Sequence, residues 1–127
     1  MTQLHALSLT LGIEGAVGGL LLWAWLGLRG RTWVRGLLVV LAASLLTHPL
    51  AWHANRVWLI GLSFPVRAAI IEGAVVLVEA SILALAMRST GDVPRVRPTA
   101  PWTWLVLSLV MNGASFGYGL VRVLVFG

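Results

Sequence analysis

The sequence contains no cysteine and no lysine, and it has few charged residues of either sign. The absence of cysteine excludes disulfide bonds, thiolate metal sites and cysteine nucleophiles. Charged residues make up 10% of the 127 residues, against roughly 25% in soluble domains. A soluble globular domain is therefore excluded. The arginines are scattered singly along the chain, so the formal net charge of +5 does not indicate a nucleic-acid partner.

Apolar residues are abundant, since 59% of the chain is hydrophobic and the mean hydropathy is +0.94. This content also excludes intrinsic disorder. A membrane-spanning helix needs about 20 apolar residues, so four spans use about 80 residues and leave about 45 for connections. We therefore predict an all-α, four-helix transmembrane bundle that forms a single domain. The predicted spans are about 4–28, 33–52, 67–87 and 102–126.

The arginines predict the orientation of this bundle in the membrane. Three lie in or next to the first connection and three in the third, whereas the second connection holds two. Cytoplasmic connections carry the excess of Lys and Arg, so the first and third connections are predicted to face the cytoplasm. Both termini then lie on the outer side. Five of the seven tryptophans fall near the predicted inner interface and two near the outer one, as expected for an aromatic belt: Trp23, Trp25, Trp33, Trp102 and Trp104, then Trp52 and Trp58.

Three of the four acidic residues, Glu14, Glu72 and Glu79, fall inside apolar spans. On the insertion scale a central carboxylate costs about 2.5–3.5 kcal/mol, while each strongly apolar residue returns about 0.3–0.6 kcal/mol. The apolar residues of the third span return about 4 kcal/mol on that scale, less than two deep carboxylates cost. Glu72 and Glu79 are seven residues apart and share one helix face. This face must turn toward protein.

Polar side chains of the other spans are predicted to meet these acids. His48 lies in the second span, and Asn112 and Ser115 lie on a polar stripe of the fourth. Intramembrane acids commonly mark ion, proton or substrate paths. We therefore predict a binding or proton-relay site, open to the outer side, formed by Glu14, Glu72, Glu79, His48, Asn112 and Ser115. The alternative is structural, with the carboxyl groups linking helices through Asn112, Ser115 or Arg122.

The candidate metal ligands are His48, His53 and Glu72. His48 and His53 are five residues apart, which is not the i, i+4 pairing of zinc-binding helices. Glu72 and Glu79 are about 10 Å apart along a regular helix, too far to hold one ion together. A site that draws His48, Glu72 and Glu14 from separate helices stays open. The simpler hypothesis for His48 is a hydrogen-bonded residue beside a kink at Pro49.

Enzymatic motifs are few. The sequence has neither a phosphate-binding glycine loop nor a His-Glu-x-x-His motif. Ser115 with His48 or His53 could supply a nucleophile and a base, so an intramembrane enzyme is our third hypothesis.

Gly-x-x-x-Gly pairs occur at residues 15 and 19 and at residues 113 and 117, and such pairs allow close helix packing.

Three short motifs carry a resemblance. They are Thr47-His48-Pro49, the pair Glu72 and Glu79, and the segment Asn112-Gly-Ala-Ser-x-Gly117. Together they resemble a pattern of small polytopic inner-membrane proteins of bacteria whose function is unknown. The resemblance implies a location in the bacterial inner (cytoplasmic) membrane and brings no activity with it.

The function predicted first is a small transport or binding protein whose intramembrane pocket takes a cation, a proton or a small ligand. A bundle of only four helices leaves little room for a transport pathway inside it. We therefore expect a homo-oligomer or a membrane partner subunit within the lipid bilayer. The alternative is an accessory or structural subunit of a larger membrane complex. In that case the same polar residues face a partner or a cofactor.

Overall fold

The computed structural model describes residues 2–88 and 100–126, and these residues are almost entirely helical. Each of four helices is long and apolar enough to cross a membrane, so the predicted number of spans is confirmed. They are α1 (Gln3–Ala24), α2 (Gly30–His53), α3 (Phe64–Arg88) and α4 (Pro101–Phe126). The hydrophilic part of the predicted third connection, with Asp92, Arg95 and Arg97, lies outside the described residues.

The turn after α1 begins earlier than the sequence predicts. α1 ends at Ala24 rather than near residue 28, because the chain passes through Gly27 and Gly30 with φ of 67° and 54°. Residues with a Cβ rarely adopt this left-handed conformation. Arg29 stabilises the turn, since its Nη1 donates to the carbonyl oxygen of Trp23 at 2.6 Å and its guanidinium lies 4.7 Å from the Trp23 ring.

The second span is longer than predicted, because the helix does not break at Pro49. Proline removes one backbone hydrogen bond and kinks a helix, but α2 continues to His53 and a π-helical segment, Ala54–Trp58, follows directly. The amide of Leu59 donates to the carbonyl oxygen of Ala54 at 2.9 Å and closes that wider turn. α3 then begins at Phe64, earlier than predicted, since Pro65 suits the first turn of a helix.

The helices form a closed ring in which each packs against two neighbours. α1 contacts α2 and α4, and α3 contacts the same two helices, while within the described residues the diagonal pairs make no close backbone contact. Consecutive helices are antiparallel. A Cβ on Gly18 of α1 would meet Val40 of α2 and Met111 of α4, and one on Gly36 of α2 would meet Leu22 of α1. This is the up-down-up-down order that short connections favour.

An apolar core fills the half of the bundle where α1 ends and α2 begins. Leu22, Leu83 and Leu107 are fully buried there, and the cluster also includes Trp104. Trp104 therefore packs inside the bundle rather than in the predicted aromatic belt, with 4% of its surface exposed. Trp33, from the same predicted belt, donates its Nε1 proton to the carbonyl oxygen of Gly19 at 2.9 Å and joins α2 to α1.

The outer surface of the bundle is apolar along all four helices. Large hydrophobic side chains such as Leu20, Leu46 and Leu85 are 60–68% exposed, which suits contact with lipid chains. Among the described arginines, four lie at or near the core end of the bundle and three at the opposite end: Arg29, Arg31, Arg35 and Arg88, then Arg56, Arg67 and Arg122. The predicted orientation, with both termini outside, stays a prediction.

Two glycines of α1 provide a matched test of this packing. A Cβ at Gly18 would lie 2.5 Å from Met111 Sδ and 3.2 Å from Val40 Cγ1, whereas one at Gly12 would meet nothing within 4 Å. We expect Gly18→Ala to lower the free energy of unfolding by about 1–3 kcal/mol, because it overpacks a buried contact. Gly12→Ala should not lower it. Unfolding by SDS in mixed micelles measures both, and equal stability of the two variants would contradict this packing.

Candidate functional site

Glu14 lies at the centre of the bundle, although its side chain is a carboxylic acid. It is 1% exposed and sits on α1 between the two neighbouring helices. The hydroxyl of Ser44 on α2 donates to its Oε2, and the hydroxyl of Ser115 on α4 donates to its Oε1 at 2.8 Å. Both carboxyl oxygens are therefore bonded, each by a different helix.

Glu79 occupies the corresponding place on α3 and is also 1% exposed. Thr47 of α2 donates to its Oε1 at 2.8 Å. From α4, Asn112 Nδ2 donates to Oε2 at 2.6 Å and Ser108 Oγ donates to the same oxygen at 3.3 Å. Glu79 is thus held in the same way as Glu14, by one donor of α2 and by donors of α4.

The two carboxyl groups link helices that lie diagonally in the ring and whose described backbones make no close contact. Glu14 is on α1 and Glu79 on α3, which are diagonal in the ring, and the donors come from the other diagonal pair, α2 and α4. This layer of hydrogen bonds lies next to the apolar core. We name it the polar layer: Glu14, Ser44, Thr47, Glu79, Ser108, Asn112 and Ser115.

In the part of the chain that the structure describes, every hydrogen-bond donor to these two carboxyl groups is neutral. The donors are three serine hydroxyls, one threonine hydroxyl and one amide. Burying a carboxylate without an opposite charge is costly in an apolar interior. The polar layer therefore satisfies the hydrogen bonds of the acids without compensating their charge.

Three of the hydroxyl groups have a second acceptor within reach. Ser44 can also donate to the carbonyl oxygen of Val40 at 3.1 Å, Thr47 to that of Ala43 at 3.0 Å, and Ser115 to that of Asn112 at 3.1 Å. A hydroxyl group has one proton and can rotate between acceptors. These groups can therefore donate to a charged carboxylate, or turn to the backbone when a proton or cation neutralises it, without leaving a donor unpaired.

A cavity of about 240 Å³ adjoins the polar layer. It extends toward the end of the bundle where α1 and α3 begin, which the predicted orientation places outside. All four long helices contribute to its wall. The six residues of the predicted binding site all line it: Glu14, Glu72, Glu79, His48, Asn112 and Ser115.

Glu72 and His48 line this cavity, and hydrogen-bonding atoms of both lack a partner among the described residues. Glu72 is half-buried two turns from Glu79 on α3, and no hydrogen bond to its carboxyl group occurs among the described residues. His48 Nε2 is buried and also lacks a partner in that part of the chain, so the hypothesis of a hydrogen-bonded histidine beside Pro49 finds no bond at this nitrogen. Both groups are free to bind a ligand.

The three metal candidates do not come together. His53 is exposed, does not line the cavity and packs its ring edge-on against Trp58, with 5.0 Å between centroids. Within residues 2–88 and 100–126, no group of three or more His, Asp or Glu side chains has the spacing to hold a metal ion. His53 does not line the cavity that His48 and Glu72 share, so the structure does not bring the three candidates to one place.

The enzymatic hypothesis gains no support from the geometry. Residues 113–117 read Gly-Ala-Ser-Phe-Gly, the letters of the Gly-x-Ser-x-Gly motif. That motif places its serine on a strained turn from a strand to a helix, whereas Ser115 lies within α4. Ser115 donates its one proton to Glu14 or to the carbonyl oxygen of Asn112, and among the described residues it has no hydrogen bond with a histidine.

No family model, curated protein or solved structure matches this chain. The resemblance to small inner-membrane proteins of bacteria therefore stays a prediction. Conclusions about function come from the geometry of the cavity.

Several residues of the site were not among those predicted. Ser44, Thr47 and Ser108 hold the acids, and the cavity wall also includes polar and aromatic side chains. Some of these residues could have been predicted from their spacing, because residues four apart on a helix share a face. Thr10 precedes Glu14 by four, Trp52 follows His48 by four, and Phe116 follows Asn112 by four. Asn55 and Phe64 lie at the ends of helices, where no such signal applies.

Two serines provide a test of the polar layer. Ser44 is buried and donates to Glu14, whereas Ser81 is exposed and donates to the carbonyl oxygen of Leu77 on its own helix. We expect Ser44→Ala to lower the free energy of unfolding by about 1 kcal/mol, since it removes a donor from a buried carboxyl group. Ser81→Ala should leave it within about 0.5 kcal/mol of the wild type. SDS unfolding compares the pair, and an equal effect of both changes would speak against a role for the Ser44 bond.

Proposed function

We propose that this protein binds, and through binding transports, a monovalent cation or a proton at the cavity beside the polar layer. The observation that carries the proposal is the arrangement of Glu14, Glu72 and Glu79 on one cavity. Three carboxyl groups line it, and the described donors to them are neutral. A cation or proton supplies the positive charge that this arrangement lacks.

The size and wall of the cavity support a small occupant. A volume of about 240 Å³ is below the roughly 300–1,000 Å³ of pockets that enclose drug-sized ligands. It suits a few water molecules with an ion, or one small organic cation. His48 Nε2 and the Glu72 carboxyl group offer unused hydrogen-bonding positions to such an occupant.

The polar layer also provides a path along which a proton or cation can pass between the acids. Glu72 is accessible from the cavity, and Glu79 lies about 10 Å deeper on the same helix face. The hydroxyl groups of Ser44, Thr47 and Ser115 can change acceptor as the charge on their carboxyl partners changes. A proton or cation can therefore move between the acids while the buried donors keep a partner.

This proposal predicts a loss of function without a loss of fold. We expect Glu72→Gln and Glu79→Gln to abolish the charge movement that a cation pulse or a pH jump produces in proteoliposomes on a solid-supported membrane. The amide keeps the size of the side chain but not its charge. Asp92→Asn is the control, because Asp92 is the acid that the sequence places outside the apolar spans.

Expression level and elution on gel filtration show whether the Glu→Gln variants still fold and assemble. They therefore separate a functional role of the acids from a packing role. If the Glu→Gln variants fail to assemble, the acids serve packing alone. If the wild type shows no response to Na⁺, K⁺, ethylammonium or a pH jump, the proposal of a cation or proton site is wrong.

The alternative function, an accessory subunit of a larger membrane complex, is favoured by one observation on α4. A Cβ at Gly113, Gly117 or Gly119 would meet nothing within 4 Å, so this helix offers small residues to a further helix. Mild extraction followed by native mass spectrometry tests it. Stoichiometric partner chains would favour the subunit, whereas a homo-oligomer or a monomer with a bound ligand would favour the cation-binding protein.

A further inference from the structure

A groove between α3 and α4 lies beside the acidic cavity, on the apolar outer surface of the bundle. It has a volume of about 550 Å³, and apart from Glu72 and Asn112 the residues that line it are apolar. Five residues line both the groove and the cavity, so the two spaces adjoin: Phe64, Ala68, Glu72, Asn112 and Phe116.

Small residues form the wall of this groove on both helices. Ala68 and Ala69 lie on α3, and Gly113 lies on α4, where a Cβ would meet nothing within 4 Å. Larger side chains at its rim are exposed, with Leu109 57% exposed and Phe64 53% exposed. The groove is therefore open to the hydrocarbon region along the side of the bundle.

A second groove, between α2 and α3, has a volume of about 360 Å³ and also shares residues with the cavity. Thr47 is the one polar residue among those that line it. None of the described residues that line this second groove is acidic, so this groove does not indicate a charged ligand. The groove between α3 and α4 differs because Glu72 lies where it meets the cavity.

Charge complementarity identifies the occupant of the α3–α4 groove. A lipid acyl chain would fill the apolar part but would supply no positive charge to the Glu72 carboxyl group, which has no hydrogen-bond partner among the described residues. An ammonium head supplies the missing charge and up to three donors. Trp52, Phe64 and Phe116 also line the cavity, and aromatic faces attract cations.

We propose that the ligand is an amphiphilic organic amine that enters from the bilayer. Its ammonium head binds in the cavity beside Glu72, and its alkyl tail lies in the groove between α3 and α4. This inference rests on the proposed cation site and adds to it the chemical class of the ligand and its route.

The experiment compares a short and a long amine on the purified protein in lipid nanodiscs. Binding of radiolabelled ethylammonium and octylammonium is measured for the wild type, Gly113→Leu and Gly12→Leu. Gly113 lines the groove but not the cavity, and Gly12 has equally open space on α1 away from both. Comparing variants at one chain length cancels the partitioning of each amine into lipid.

We expect Gly113→Leu to weaken octylammonium binding about tenfold, because the new side chain occupies the space of the tail. Ethylammonium binding should not change, and Gly12→Leu should affect neither amine. Glu72→Gln should weaken both amines. Ala69→Leu, at a second residue that lines the groove but not the cavity, should repeat the result of Gly113→Leu if that variant folds poorly.

Other outcomes overturn the inference in distinguishable ways. If the groove variants leave octylammonium binding unchanged, or weaken both amines equally, the groove holds a lipid chain or a second copy of the protein. The cation site then stands without it. If neither amine binds but Na⁺, K⁺ or a pH jump gives a response that requires Glu72 and Glu79, the ligand class is wrong and the proposed function remains. If no cation gives such a response, both proposals fail.

Discussion

The structure depends on the burial of two carboxyl groups in the middle of a membrane bundle. Glu14 and Glu79 lie on diagonal helices, and α2 and α4 supply hydroxyl and amide donors to both. An acid in this position cannot face lipid without a large cost. The faces of α1 and α3 that carry these acids are therefore turned inward, and α2 and α4 must present donors at the same depth. One electrostatic constraint thus sets the rotation of all four helices.

The polar layer also divides the bundle into two halves with different roles. On one side, Leu22, Leu83, Leu107 and Met111 pack without polar groups and hold the helices together. On the other side the helices enclose a cavity, and its wall mixes acids, aromatic rings and small residues. The packed half supports the open half, where Glu72 and His48 Nε2 have no hydrogen-bond partner among the described residues. The apolar core and the proposed ligand site thus lie at different ends of the same helices.

Much of this arrangement follows from individual residues of the sequence. The seven-residue spacing of Glu72 and Glu79 places both on one face of α3, and the insertion cost of two carboxylates requires that face to point inward. Exact helix ends were harder to predict. Gly27 and Gly30 end α1 early through left-handed backbone, and the π-helical segment after His53 extends the second span. Both depend on local hydrogen bonds, such as that from Arg29 to Trp23, which hydropathy does not report.

The sequence by itself determined that this chain forms four helices long and apolar enough to span a membrane and that its acids need shielding from an apolar surrounding. Hydropathy and the cost of buried charge are local properties, so they can be read along one helix. Only the tertiary structure decided which side chains shield the acids. Ser44 joins Ser115 as a donor to Glu14, and His53, close to His48 in sequence, packs against Trp58 outside the cavity. The groove beside Glu72 likewise exists only because of how α3 and α4 pack in the tertiary structure. These outcomes depend on how the helices are rotated and spaced against one another, and a pattern along one helix does not contain that information.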